Sequence, residues 1–110
     1  MATTYKILGQ AEPSDTNVTD LYTVPASTEA IVSTLVVANT SGTDRTFRIF
    51  VREAGAAAAT GNAIAYDTQI SANSQVAFTL GLTLSATDIL SVRSETANSI
   101  TFQAFGSELT

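Results

Sequence analysis

The stretch TFRIFVR at residues 46–52 shows the clearest two-residue alternation in this chain and decides its fold class. Successive side chains of an extended segment point to opposite faces. Phe47 and Ile49 therefore share one face, and Arg48 and Phe50 share the other. This pattern predicts a β-strand with one face on a core and one face directed outward.

Seven further segments have the same character and are rich in β-branched or aromatic residues. They are residues 5–10, 20–24, 31–38, 62–67, 76–84, 88–93 and 100–105. About eight strands at this spacing predict an all-β fold, a single-domain antiparallel β-sandwich of jelly-roll type over residues 1–110. Segment 31–38 is apolar on both faces, so we expect it to be central in its sheet or covered. The predicted core comprises Leu35, Val37, Phe47, Ile49, Phe78, Leu80, Val92 and Phe102.

Breaks between these segments carry turn-forming residues. We expect residues 39–44, 71–74 and 94–98 to close hairpins, and residues 53–59 to form a flexible loop or a single helical turn. Residues 1–4 and 15–19 carry no core pattern. They are expected to be mobile in the isolated protein or to be ordered only by a partner.

Composition removes most catalytic chemistry from consideration. The 110 residues include no cysteine and no histidine, so the commonest general base, the commonest transition-metal ligand and any thiolate are absent. Acids such as Asp15 and Asp20 lie near one another in the sequence, but their spacing fits solvated turn carboxylates better than a calcium loop. We therefore predict no enzyme activity, no catalytic residue, no cofactor and no metal.

The charge balance also limits the partners. Ten acids against five bases give a formal net charge of −5, which argues against binding a nucleic-acid backbone. No apolar run is long enough for a signal peptide or a membrane span. We expect a soluble protein that is assembled in a cytoplasm, with no membrane partner.

Apolar residues on outward faces predict self-association. Phe50 lies opposite Phe47 in its segment, and Val32 and Val36 lie opposite Leu35 in theirs. If these groups were exposed on adjacent strands, they would form a patch of the kind that marks interfaces. The predicted interface is completed by arginines about 13 Å apart on one strand face; its residues are Arg48, Phe50, Arg52, Val32 and Val36. The arginines could instead pair with carboxylates across strands of the same sheet.

Several short runs resemble small β-sandwich virion proteins of tailed bacteriophages. They are residues 4–41 (TYKILGQAEPSDTNVTDLYTVPASTEAIVSTLVVANTS), FRIFVREAG at 47–55, AIAYD at 63–67 and FQAFGSELT at 102–110. This resemblance implies a capsid cement or decoration protein that bridges capsomers, or a component of the tail, baseplate or fibre. It further implies a place on the outer surface of the virion after assembly in the bacterial host cytoplasm. The implied partners are the major capsid protein or another virion protein, and further copies of the chain in a homo-oligomer, with a trimer as the expected form.

A carbohydrate-binding module for host attachment is the alternative from a different class. Such a sandwich would stack an exposed aromatic ring on a sugar. Tyr5, Tyr22 and Tyr66 are the candidates.

Overall fold

The computed structural model describes residues 2–110, which form eight β-strands. Every predicted strand is present, and the order along the chain is the predicted one. The strands are β1 Thr3–Ala11, β2 Thr19–Thr23, β3 Glu29–Asn39, β4 Arg45–Arg52, β5 Ala63–Ile70, β6 Gln75–Leu84, β7 Ile89–Ser94 and β8 Ile100–Leu109. Two short 3₁₀ turns, Glu53–Gly55 and Thr60–Asn62, lie between β4 and β5. No helix in the described part of the chain is long and apolar enough to span a bilayer.

The strands form two four-stranded antiparallel sheets that pack face to face. One sheet has the order β1–β8–β3–β6 and the other the order β2–β7–β4–β5. Two such sheets enclosing one core make a β-sandwich, and this strand order is that of a jelly roll. The predicted fold class is thus confirmed. Strand β3 lies between β8 and β6, as its two apolar faces predicted.

Most connections run from one sheet to the other. Only β4 and β5 are neighbours both in sequence and in a sheet. The predicted hairpins at residues 39–44, 71–74 and 94–98 are therefore wrong, because each of these turns joins strands of different sheets. Asn39 organises two of these turns. Its buried side-chain amide donates to the carbonyl groups of Thr43, Ile70 and Ser71 and accepts from the backbone N–H of Ser41.

The core joins the sheets through three aromatic rings. Phe47 of β4 is 1% exposed and meets the rings of Phe78 and Phe102, from the opposite sheet, edge to face. Both centroid distances are 6.2 Å, the geometry that aromatic pairs prefer. Of the predicted core, all members except Phe78 and Leu80 are fully buried, and Phe78 is partly buried against the cluster.

Two β-bulges reverse the expected direction of single side chains. The register of β3 shifts between Val32 and Thr34 against both of its neighbours. Val32 consequently points into the core with Leu35, not outward with Val36, and it is 1% exposed. The partner strand β6 carries Gly81 at φ +62° opposite this shift, and the adjacent Leu80 is 47% exposed. An extra residue in one strand changes the phase of alternation. The predictions of an outward Val32 and a buried Leu80 were therefore wrong.

The two segments that lack a core pattern are tied to the rest of the chain. Thr3 and Thr4 pair with Leu109 and Glu108, although their side chains remain exposed. In the other segment, the backbone carbonyl of Thr16 accepts a hydrogen bond from Arg93 Nε. The expectation that residues 2–4 are mobile or ordered only by a partner is therefore wrong from Thr3 onward, because β1 begins there. For residues 15–19 the same expectation stays a prediction. Met1 lies outside the described residues.

One polar cluster connects the two sheets at an end of the sandwich. The Tyr22 hydroxyl, from β2, donates to Glu108 of β8, and Lys6 of β1 forms an ion pair with the same carboxylate at 3.1 Å. The hydrogen bond from Tyr22, followed by the one from Lys6, lowers the pKa of Glu108 below its ordinary value of 4.5. Burial, together with the nearby carboxylate, raises the pKa of Tyr22.

Because of this cluster, we expect part of the free energy of unfolding to be lost at acidic pH. Since the folded-state pKa of Glu108 is depressed, its contribution is present above pH 4.5 and is lost as pH falls through the folded pKa. Replacing Glu108 by Gln should lower the melting temperature at pH 7 and flatten its decline below pH 4.5. Thermal melts over a pH series measure this, with Glu12→Gln at an exposed site as the control. Superimposable profiles for Glu108→Gln and the wild type would contradict the prediction.

Candidate interaction surfaces

The outward arginines of β4 pair within the chain. Arg48 Nε lies 2.7 Å from Asp67 Oδ1, and Arg48 Nη2 lies 3.2 Å from Asp67 Oδ2. The guanidinium carbon also lies 4.0 Å from the centre of the Tyr66 ring. This hydrogen-bonded pair lowers the pKa of Asp67. Arg48 therefore pairs with a carboxylate on the neighbouring strand of its own sheet. The sequence left this alternative open beside a contact with another subunit.

Arg52 holds the connection between β4 and β5 against the sandwich. Its guanidinium donates to Asp20 Oδ1 at 2.9 Å and to Ser91 Oγ at 3.2 Å. It also donates to the backbone carbonyls of Gly55 and Ala56, at 3.2 and 2.7 Å. The sequence predicted a flexible loop or a single helical turn at residues 53–59. Within this segment, Arg52 binds residues 55 and 56, and the backbone N–H of Ala54 donates to Asp88 Oδ1 at 2.8 Å.

The remaining residues of the predicted interface fall in different places. Phe50 does point away from the core, but it is only 3% exposed, and its ring packs edge to face against Tyr66 at 6.5 Å. The prediction of an exposed Phe50 is wrong because neighbouring parts of the same chain cover this position. Val32 lies in the core. Val36 alone stays on the outer face of its sheet, where it is half-buried.

The outer face of the β1–β8–β3–β6 sheet is a different surface, called here the low-charge face. Residues that pair across neighbouring strands form rows that cross the sheet. Its three middle rows are Tyr5–Ser107–Ile31–Thr83, Ile7–Phe105–Thr34–Thr79 and Gln10–Gln103–Val36–Ala77. None of these twelve side chains carries a charge. Glu29, in the row beside Leu109 and Thr3, is the charged residue at one end of the face.

Three exposed large apolar side chains lie on this face. Tyr5 is 84% exposed, Ile7 53% and Ile31 39%, and Phe105 is half-buried beside them. The opposite outer face, on β2–β7–β4–β5, carries the Arg48–Asp67 and Arg52–Asp20 pairs instead. One side of the sandwich therefore carries charged side chains that pair within the chain, and the other carries apolar and uncharged polar side chains.

The sequence contained a partial signal for the low-charge face. Tyr5 and Ile7 alternate in the segment 5–10, and Phe105 lies on the outward side of the segment 100–105. Their proximity depends on the pairing of β1 with β8. That pairing joins the first and last strands of the chain, and the local sequence of neither strand predicts it.

The tyrosines proposed for sugar binding differ sharply in access. Tyr22 is buried and bonded to Glu108, and the ring of Tyr66 is in contact with Arg48 and Phe50. Tyr5 is the one that leaves most of its ring free. A shallow groove of about 320 Å³ lies at one end of the low-charge face, lined by Gln10, Ala11, Glu12, Thr101, Phe102 and Gln103. Within residues 2–110, no group of three or more acids is placed to hold a metal ion.

The fold and these surfaces define the chain as a jelly-roll β-sandwich with one low-charge outer face. No family model matches the chain, and no curated protein matches it. Among solved structures it is similar to a chain in the structure of infectious bursal disease virus, Gx strain, with a TM-score of 0.46 and 12% identity. The similarity covers 97% of this chain and 30% of that chain, so this protein spans about a third of the length of that structural neighbour.

Proposed function

We propose that this chain is a non-enzymatic structural protein of a tailed-bacteriophage virion, and that it acts as a capsid cement or decoration protein bridging capsomers. The observation that supports this proposal most is the low-charge face. A protein that holds other subunits together needs a rigid surface whose desolvation costs little free energy. Side chains of Thr, Ser and Gln among apolar groups meet that need, whereas unpaired charges are costly to bury.

The fold alone does not select this function. Jelly rolls occur in capsid proteins, in lectins and in cupins, and function depends on the site that the fold carries. The phage setting comes from the sequence resemblance of residues 4–41, 47–55, 63–67 and 102–110. The net charge of −5 suits a position on the outer surface of the virion, away from packaged DNA.

Immunogold labelling of the virions of the encoding phage tests the proposal. Antibodies raised against the recombinant chain should label the capsid shell at many positions. Labelling confined to the tail tip, baseplate or fibres would favour the alternative placement within the virion. A chain that is absent from purified virions would contradict the structural role altogether.

A glycan-binding role rests on Tyr5, whose ring is 84% exposed on β1. We expect no specific binding of the wild-type protein on a glycan array. If binding occurs and disappears in Tyr5→Ala but not in Tyr66→Ala, the carbohydrate-binding alternative would replace the cement proposal.

A further inference from the structure

We infer that the low-charge face is a self-association surface, on which a second copy of this chain packs face to face about a two-fold axis. This inference uses the same face that supports the proposed function and names a second copy of the chain as the subunit that the face holds; it can fail separately, because immunogold labelling of the virion tests the proposed function on its own. It keeps the expectation of a homo-oligomer but moves the contact to the other sheet, because Phe50 and Val32 are covered within the chain.

The middle rows of the face share with interface cores the absence of charged residues and the presence of aromatic ones. The central parts of protein interfaces are depleted of charged residues and enriched in aromatic ones. Tyr5, Ile7, Ile31 and Phe105 occupy two neighbouring rows of the face, with hydroxyl side chains between them. A contiguous exposed apolar patch of this kind usually marks a contact site.

The area is sufficient for a specific dimer. Four strands about 4.8 Å apart and about 30 Å long give a face of roughly 600 Å² per copy. Two copies would bury about 1,200 Å² in total, which is at the lower limit of the standard size for stable complexes.

The absence of charge from the middle rows allows a second copy as the occupant. Each chain carries a net charge of −5, so two copies repel one another except where their acids are kept apart. On the low-charge face, Glu29 lies in the row at one end and Glu12 lines the groove at the other end. Glu108 is directed toward Tyr22 and Lys6. A charged partner would find no counter-charge in the middle rows, whereas a second copy brings an equally uncharged surface. In a two-fold contact the same patch serves both subunits.

Light scattering coupled to size-exclusion chromatography tests this inference. The wild-type mass should be twice the chain mass of 11.4 kDa. Ile31→Glu, in the middle of the face, and Ile7→Glu, on its edge strand, should each halve the mass. Ile64→Glu is the matched control, because Ile64 is 43% exposed on β5 of the other sheet, and it should leave the dimer intact. Far-ultraviolet circular dichroism verifies that each variant is folded.

Salt provides an independent test of the same contact. Added salt screens the repulsion between two acidic chains, so sodium chloride should preserve or strengthen the dimer. Dissociation on adding salt would indicate an interface held by ion pairs and would overturn the inference. A wild-type mass of 11.4 kDa at high concentration, a trimer mass, or an unchanged mass in both folded variants of the face would overturn it as well.

Discussion

Replacing Phe47 by Ala should destabilise the protein by about 3–5 kcal/mol, the range measured for large aromatic side chains removed from a core. Phe47 is 1% exposed and is the residue of β4 that contacts both Phe78 and Phe102 of the opposite sheet. The substitution therefore leaves a cavity at the junction of the two sheets and removes two aromatic pairs at once. Domains are typically stable by about 5–15 kcal/mol, so this loss would leave much of the protein unfolded at elevated temperature.

Urea denaturation followed by circular dichroism measures the change in the free energy of unfolding. Ile64→Ala is the control, since Ile64 is 43% exposed on the outside of the sandwich and surface changes usually fall within about 0.5 kcal/mol. A Phe47→Ala protein that melts within a few degrees of the wild type would show that the three-ring contact does not hold the sheets together.

Replacing Gly106 by Ala should lower the free energy of unfolding by a similar amount, because the added Cβ would overlap main-chain atoms of β3. A Cβ at this position would lie 2.9 Å from the carbonyl carbon of Ile31 and 3.1 Å from the Cα of Val32, and nearer still to the Ile31 oxygen. Because these are main-chain atoms of β3, no side-chain rotation relieves the overlap, and β8 must move away from β3. We expect a cost of about 3 kcal/mol or more, at the upper end of the range for overpacking.

The control for this substitution is Gly42→Ala. A Cβ at Gly42 has no heavy atom within 4 Å, so alanine there should be neutral or stabilising by up to about 1 kcal/mol through the unfolded state. Equal unfolding free energies for Gly106→Ala and Gly42→Ala would mean that the close approach of β8 to β3 does not constrain the fold.

The strands were predictable because they depend on local alternation. All eight appear where the sequence placed them, and residues 46–52 correspond closely to β4. Single side chains were less predictable where a bulge interrupts the alternation. Gly81, inside a strand, was a usable signal for the bulge, and it accounts for the exposed Leu80. The matching shift at Val32 has no comparable mark in the sequence.

The candidate surface was less predictable than the fold because it depends on contacts between distant parts of the chain. Phe50 was correctly placed away from the core, but its cover comes from Tyr66 in another strand. The low-charge face likewise forms only when β1 pairs with β8 and β8 pairs with β3. Alternation assigns a residue to a face of its own strand, and it does not determine which strands lie side by side.

Cryo-electron microscopy of the virion whose genome encodes this chain tests the proposed virion role directly. We expect density for the eight-stranded sandwich at regular positions on the outside of the capsid shell, in contact with more than one capsomer. A well-resolved shell in which no density accommodates the sandwich, together with its absence from the tail, would contradict the claim that this is a virion structural protein.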